Sequence, residues 1–497
     1  MHILGLDIGT SGVKAALFDK TWKLVGRSYR EYPLISVGKD SFDLDAEVVW
    51  EKTREAILSI THSTGQAIDA VAVSALGDVI IALDEEGNTV RPSILDFDPR
   101  GREEIQDFID DIGVERFFKI TGMPPIHINS LAKILWIKKH EPLHYRRVVR
   151  WASYEDFILR KLGVKPTVSY SMAARTMLFD SRHKSWSEEI LEAADLNRAS
   201  LPEAVPSGVV IDTLGSRAAE ELGFSRDAVA CSGGHDMLCA AIGAGLDEGD
   251  PHTALNIVGT MEGVIVLLQR PGTSGEMLKR LYPCYPGYRE FISLSLNLTS
   301  GSIVKWYRDE ISNLSAGNGE EIGFDELLRD VDEKKPGDLI VIPHFAGTCN
   351  PKHDPDARGF VYGLSLHSNM QDLIQGIIEG LCYELKVHIQ GFKDAGISIE
   401  RLKTVGGGSQ SSKWLQLKAN ITGLEIISSD AHEASSMGAA GLCGSALGIL
   451  DSPFAISHAM GVKEKRYTPL PGETERFNEK FAQYQGLIGR LHSVEPL

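Results

Sequence analysis

The chain contains no Cys-x-x-Cys pair; its six cysteines, Cys231, Cys239, Cys284, Cys349, Cys382 and Cys443, are scattered. Zinc or dithiol redox chemistry therefore has no support, and a reduced, cytoplasmic setting is expected. The N-terminus MHILGLDIG has no charged segment followed by an apolar one. Nor is there a run of about 18 apolar residues, because ALNIVGTMEGVIVLL is interrupted by Glu262. Neither secretion nor a membrane is expected. Basic charge is also short, with 51 Lys and Arg against 68 Asp and Glu and a formal net charge of −17, which argues against nucleic acid as a partner. The balance does not exclude an anionic nucleotide, since backbone amides can hold phosphates without a basic surface. A GxxxxGK[ST] loop is missing too, so any phosphate site is not of that kind.

What remains is the composition of an ordinary globular chain. Its 497 residues are 43% hydrophobic and 24% charged, enough for two large domains. Forty-nine glycines point to tight turns or close backbone approach to ligands.

The chain opens ILGLDIGTSGVKAALFD, two apolar runs around a Gly-Thr-Ser-Gly turn, which predicts a β-hairpin. The pattern returns in ALNIVGTMEGVIVLL, where Gly259-Thr260 stands 250 residues after Gly9-Thr10. Two related α/β domains follow, residues 1–248 and 249–497, with the crossover at 247–251. Val49, Thr53, Ala56, Ile57 and Ile60 predict one face of a helix, and Leu373, Ile377, Leu381, Leu385 and Ile389 predict a long helix stopping at Gly396. The final 30 or so residues read as a helix packed back on the body.

Three segments carry chemistry. DIGTSGVK offers Asp7, turn amides, the hydroxyls of Thr10 and Ser11, and Lys14; it is either a phosphate-binding hairpin or an ordinary β-turn. TVGGGSQSSKW sets Gly406, Gly407 and Gly408 where a flat ring or a phosphate could lie against backbone, with Ser412 as a candidate cap for the next helix. ACSGGHDMLCAAIGAG places Asp236 at a helix start, as a cap or as a base for an attacking hydroxyl. KHDPDARG, with His353, Asp354 and Asp356, reads as a solvated turn, and His127 in MPPIHINS as an unremarkable loop histidine.

Together these stretches resemble the FGGY family of carbohydrate kinases, of the actin-like (ribonuclease H-like) α/β fold. GLDIGTSGVKAALFD is similar to its first phosphate motif, VGTMEG to its second and GGGSQSSKWLQLKANITG to its adenosine motif. DPDARGFVYGLSL and EASSMGAAGLCGSALG are similar to C-terminal segments of the family. The resemblance implies two domains around a central cleft, sugar mainly on the first and ATP mainly on the second. It makes Asp236, in GGHD, the base; the family holds its base in such a turn. It implies an ATP site of Gly9, Thr10, Ser11, Lys14, Gly259, Thr260, Gly406, Gly407, Gly408, Ser409, Gln410 and Ser412, and Mg²⁺ at Asp7 through water. A homodimer is compatible with it.

For the sugar, the resemblance directs attention to VSALGDVIIALD and SILDFDPRG. A common family loop reads Trp-Asn-Asp-Gln-Arg; here it is Asp96, Phe97, Asp98, Pro99 and Arg100, so the tryptophan has become an acid. Asp78, Asp98, Arg100 and Asp236 are the candidate substrate residues, and the acids favour an uncharged ketopentose or small polyol over a carboxylated sugar. Glu262, beside the second turn, is expected to point away from phosphates or to reach the sugar. The competing readings are an actin-like ATPase that couples nucleotide state to a partner, and a non-catalytic sugar sensor.

Overall fold

The computed structural model describes residues 1–246, 249–312, 324–431 and 433–491. The expected boundary at 248/249 and part of the crossover fall on residues 247 and 248, outside that set.

The first hairpin pairs β1 (His2–Ile8) with β2 (Gly12–Asp19), followed by β3 (Leu24–Glu31). With β4 (Ile68–Ala75), β5 (Val210–Thr213) and β6 (Phe224–His235) they form a six-stranded sheet ordered β5-β6-β4-β1-β2-β3. The second hairpin pairs β7 (Thr253–Val258) with β8 (Glu262–Leu268). It joins β9 (Cys284–Pro286), β10 (Phe291–Asn297), β11 (Arg401–Val405), β12 (Glu425–Ser429) and β13 (Glu464–Tyr467) in a seven-stranded sheet ordered β9-β10-β8-β7-β11-β12-β13.

The two sheets share a plan. β1 lies antiparallel to β2 and parallel to β4; β7 lies antiparallel to β8 and parallel to β11. The central strands are covered on both faces and are accordingly near-continuous apolar runs. The Gly-Thr turns of the two halves thus occupy matching places in a repeated frame.

Helix α1 (Ala46–Thr64) starts at Asp45, whose side chain accepts from the Glu47 and Val48 amides, and it buries all five residues of its predicted face. The other helices used below are α2 (Tyr154–Lys161), α3 (Tyr170–Arg175), α4 (Asp236–Gly243), α5 (Met370–Asp394), α6 (Ser412–Thr422), α7 (Ala434–Ala446) and α8 (Glu473–Leu491). In α5 the expected stripe is an understatement: Leu373 and Ile389 are half-buried, while Gln375, Glu379, Glu384 and His388 are buried as well. α8 packs back against α6, as expected from the chain end.

The halves meet through small residues. α4, from the first half, packs on α7, from the second, and α7 also lies against β1 and β4. Ala and Gly on both helices let their backbones approach closely enough to leave α4's first residue at the cleft.

Candidate active site

Two adjoining cavities lie where the halves meet. The smaller, about 470 Å³, is walled by Asp7 and Lys14 of the first hairpin, Asp236 of α4, and Gly406, Ser409 and Glu433. The larger, about 740 Å³, is lined by Gly259 and Thr260 of the second hairpin, Gly408, Ser411 and the rings of Trp306 and Trp414. Gly407 and Gln410 face both. One continuous groove thus runs from Asp236 past Gly406, Gly407 and Gly408 and the second hairpin turn to two indoles, while Gly9, Thr10 and Ser11 of the first turn line neither cavity.

Placement of the sequence candidates follows from local structure. Asp7 and Lys14 are opposite one another on β1 and β2, and Gly9, Thr10 and Ser11 form the hairpin tip beyond them. Lys14 pairs with Glu433 at 3.3 Å. Asp7 accepts from Ser74 Oγ at 2.9 Å, and burial raises its pKa. Gly406 has φ +94°, and a Cβ there would lie 2.4 Å from the Val258 carbonyl oxygen, so only glycine fits. Ser412 is a correction: the cap of α6 is Ser411, which accepts from the Trp414 amide, while Ser412 is exposed and lines neither cavity. Glu262 turns inward beneath the second hairpin and accepts from Lys418 Nζ at 2.5 Å and Asn256 Nδ2 at 2.9 Å. That buried pair keeps its charge away from the turn.

Asp236 is the first residue of α4, but the cap position belongs to His235, whose side chain makes no cap bond. Capping therefore does not consume the carboxylate. Its Oδ1 has no hydrogen-bond donor; His235 Nε2 lies 3.1 Å away, near enough but poorly aimed. Burial first, and the nearby Asp7 second, push the Asp236 pKa up to about 8. His235 is itself held neutral, its pKa driven down by burial and by Arg175.

The sugar candidates divide. Asp98 is fully buried, and both of its oxygens are taken: Oδ1 accepts from Arg100 N and Nε at 2.8 Å, and Oδ2 from Phe42 N at 2.7 Å and Arg100 Nη2 at 2.6 Å. Arg100 also reaches Asp43 at 2.5 Å and lies over the Trp136 ring. Asp98 and Arg100, candidates by sequence for the acceptor, hold each other and brace the loop. Asp78 is likewise engaged, with Arg175 at 2.5 Å and with Asn129.

Three further residues were not candidates by sequence. Asp96 has an Oδ1 without a donor, and burial, with Asp78 close by, pushes its pKa up to about 6. His127, from the first half, and His353, from the second, bring their rings to 5.2 Å. Both nitrogens of His353 are buried without partners, which corrects the reading of KHDPDARG as a solvated turn. Asp354 does form the turn, accepting from the Asp356 and Ala357 amides at 3.1 Å. The signal for Asp96 was its replacement of an aromatic; the histidine pair had none.

Among the described residues, no group of three or more His, Cys, Asp or Glu is arranged to hold a metal, and no helix is long and apolar enough to cross a membrane.

Comparison with known proteins places this geometry. The N-terminal domain of the FGGY family of carbohydrate kinases matches residues 2–243, and its C-terminal domain matches residues 254–447. A xylulose kinase of Staphylococcus xylosus is 25% identical over 490 residues, covering 97% of this chain and 99% of its own. The solved xylulose kinase from Lactobacillus acidophilus superposes with a TM-score of 0.89 at 22% identity, covering 99% of this chain and 98% of its own. The gluconate kinase from Lactobacillus acidophilus gives a TM-score of 0.89 at 23% identity with the same coverage. The chain belongs to the FGGY family of carbohydrate kinases, has that family's two-domain actin-like fold, and is an ATP-dependent sugar kinase.

Proposed function

Proceeding from that membership, we propose that the chain transfers the γ-phosphate of ATP to a hydroxyl of an uncharged ketopentose or small polyol, with Asp236 as the base. The observation that carries this reading is the Asp236 carboxylate itself. It stands in the wall of the groove, one oxygen is free of protein donors, and its pKa is raised into the range where a base can take a hydroxyl proton.

The remaining roles follow from position. Thr260 in the wall of the larger cavity, and Thr10 with the Ser11 amide at the tip of the first hairpin, would hold phosphates, the Gly9 and Gly259 amides being spent on closing their own turns at 3.0 and 2.9 Å, and Lys14 would exchange Glu433 for a phosphate oxygen. Gly406, Gly407, Gly408, Ser409 and Gln410, beside Trp306 and Trp414, would receive the nucleoside. Asp7 fits Mg²⁺ through water: it is a half-buried carboxylate with a single side-chain donor, facing the cavity. The ion would neutralise charge on the transferring group. Residues 1–248 would form the sugar-side domain and 249–497 the nucleotide-side domain. The six free, buried cysteines suit a cytoplasmic setting.

The charge around Asp96 supports an uncharged acceptor. Arg175 is committed to Asp78, Lys133 Nζ donates to the carbonyls of Asp98 and Arg100, and His127 and His235 are held neutral. A sugar carboxylate there would meet acids, with Arg175 already paired to Asp78 and Lys133 spent on backbone carbonyls. The test is ADP release with Mg-ATP across ketopentoses, tetritols, pentitols, glycerol and gluconate. Release with one or two neutral acceptors supports the proposal, and release with gluconate alone overturns its substrate class.

A further inference from the structure

Glu155 is a fully buried carboxylate, and among the described residues no ion pair reaches it. Its neighbour Asp156 is used in the capping box of α2 with Ser153. Glu155 is used elsewhere. Its Oε2 accepts from Ser169 N at 2.9 Å and Ser169 Oγ at 2.7 Å, and its Oε1 accepts from Gly233 N at 2.9 Å. Three donors and no cation make this an anchor for backbone.

The backbone it anchors leads directly to Asp236. β6 runs parallel to β4 with Cys231 opposite Ala72, and the pairing resumes with Gly234 opposite Ser74. Three residues on one strand thus answer two on the other, a bulge that takes the Gly233 amide out of the ladder. A Cβ on Gly233 would lie 1.9 Å from the Val73 carbonyl oxygen, so the bulge requires glycine there. The freed amide is the one Glu155 holds. Two residues on, His235 N donates to Ser171 Oγ at 3.1 Å, and that oxygen lies 3.2 Å from Ser169 Oγ. Bulge and following turn are tied to one cluster, and Asp236 is the next residue.

Resting on the reading of Asp236 as base, we infer that Glu155 is a positioning residue for it. The carboxylate pins the bulge in β6, and with Ser169 and Ser171 it sets where the Asp236 oxygens meet the acceptor hydroxyl. Bulges beside active sites re-aim side chains in this way, and a displacement of about 1 Å there can cost on the order of a hundredfold in rate. A glutamine could not replace it, because its amide would turn an N–H toward donors that are already N–H and O–H.

The test compares Glu155→Gln, Ser171→Ala and Asp236→Asn with wild type, using the best neutral acceptor of the panel. ADP release gives kcat and KM, and titration with a fluorescent ATP analogue gives binding sites per chain. Expected for Glu155→Gln is a kcat lower by about ten- to a hundredfold, with ATP KM and binding stoichiometry unchanged. Ser171→Ala, which removes the acceptor of the His235 amide and its contacts with the Ser169 and Ser207 hydroxyls but leaves Glu155 on the Gly233 amide, should lower kcat less and in the same manner. A wild-type kcat in Glu155→Gln at full binding stoichiometry would overturn the inference. If Glu155→Gln loses binding stoichiometry because it does not fold, Ser171→Ala carries the decision, and a wild-type kcat there would overturn it. If Asp236→Asn turns over normally, the base reading falls first; if Asp236→Asn is inactive and Glu155→Gln is not impaired, only this inference falls.

Discussion

His235 Nδ1 of the first half lies 2.8 Å from the Tyr285 hydroxyl of the second, while its Nε2 lies 3.1 Å from Asp236 Oδ1. With the ring neutral and Nδ1 accepting the tyrosine proton, Nε2 carries its hydrogen on the Asp236 side. A small rotation would make that hydrogen a donor to the carboxylate. The second half therefore reaches Asp236 through one intermediary. Tyr285→Phe keeps the ring on which Arg175 stacks and removes only the hydroxyl. The expected outcome is a kcat lower by about three- to tenfold, the worth of one hydrogen bond, with ATP KM unchanged in steady-state assays.

Asp96 supplies a pH signature. Its pKa is pushed up to about 6, so the side chain is ionised at pH 7 and takes a proton as the pH falls through 6. A neutral carboxyl accepts a sugar hydroxyl less strongly than a carboxylate. The acceptor KM of wild type should therefore rise between pH 7 and about pH 5. In Asp96→Asn it should be high and flat over the same range. A wild-type KM that does not vary would show that the free Asp96 oxygen does not accept from the sugar.

Adjacent glycines should behave differently. Gly406→Ala meets the Val258 carbonyl and a positive φ, and should lower stability by about 1–3 kcal/mol. At Gly407 a Cβ would meet open space on the cavity side. Gly407→Val should leave the thermal midpoint in place and raise the ATP KM. Thermal melts beside nucleotide titrations separate the two.

Stability should also depend on pH in an unusual direction. Burial pushes Glu155 and Asp156 up to about 7, above the values near 4 that carboxyls have in an unfolded chain. The folded state then binds protons that the unfolded state releases. Their contribution is fully present below about pH 4 and is lost as the pH rises through 7. Thermal midpoints should decline by a few degrees between pH 5.5 and 8, and Glu155→Gln should flatten part of that slope. A rising midpoint over this range would contradict the assignment.

Much of this was legible in the sequence because it is local. The hairpins announce themselves by apolar runs around Gly-Thr, and the α1 face by its spacing. Asp236 stands out because a lone acid follows two glycines. The engagement of Asp98 and Arg100 was not legible, because Arg100's partner Asp43 lies 57 residues away and no pattern in SILDFDPRG shows that Asp98 and Arg100 hold each other. His127 and His353 meet only because two halves fold together. Glu155 was hidden for another reason: an acid in the first turn of a helix already has an explanation, the dipole, and nothing local shows that it reaches a bulge in another strand.

The central claim is that Asp236 takes the acceptor's proton. Its most direct test is the pH dependence of kcat/KM for the best neutral acceptor, in wild type and Asp236→Asn. The account predicts a wild-type rate that climbs as the pH rises toward 8, as the carboxyl ionises, and an Asp236→Asn rate lower by about two to four orders of magnitude without that climb, at unchanged ATP affinity. An Asp236→Asn enzyme within tenfold of wild type, with the same pH profile, would contradict it.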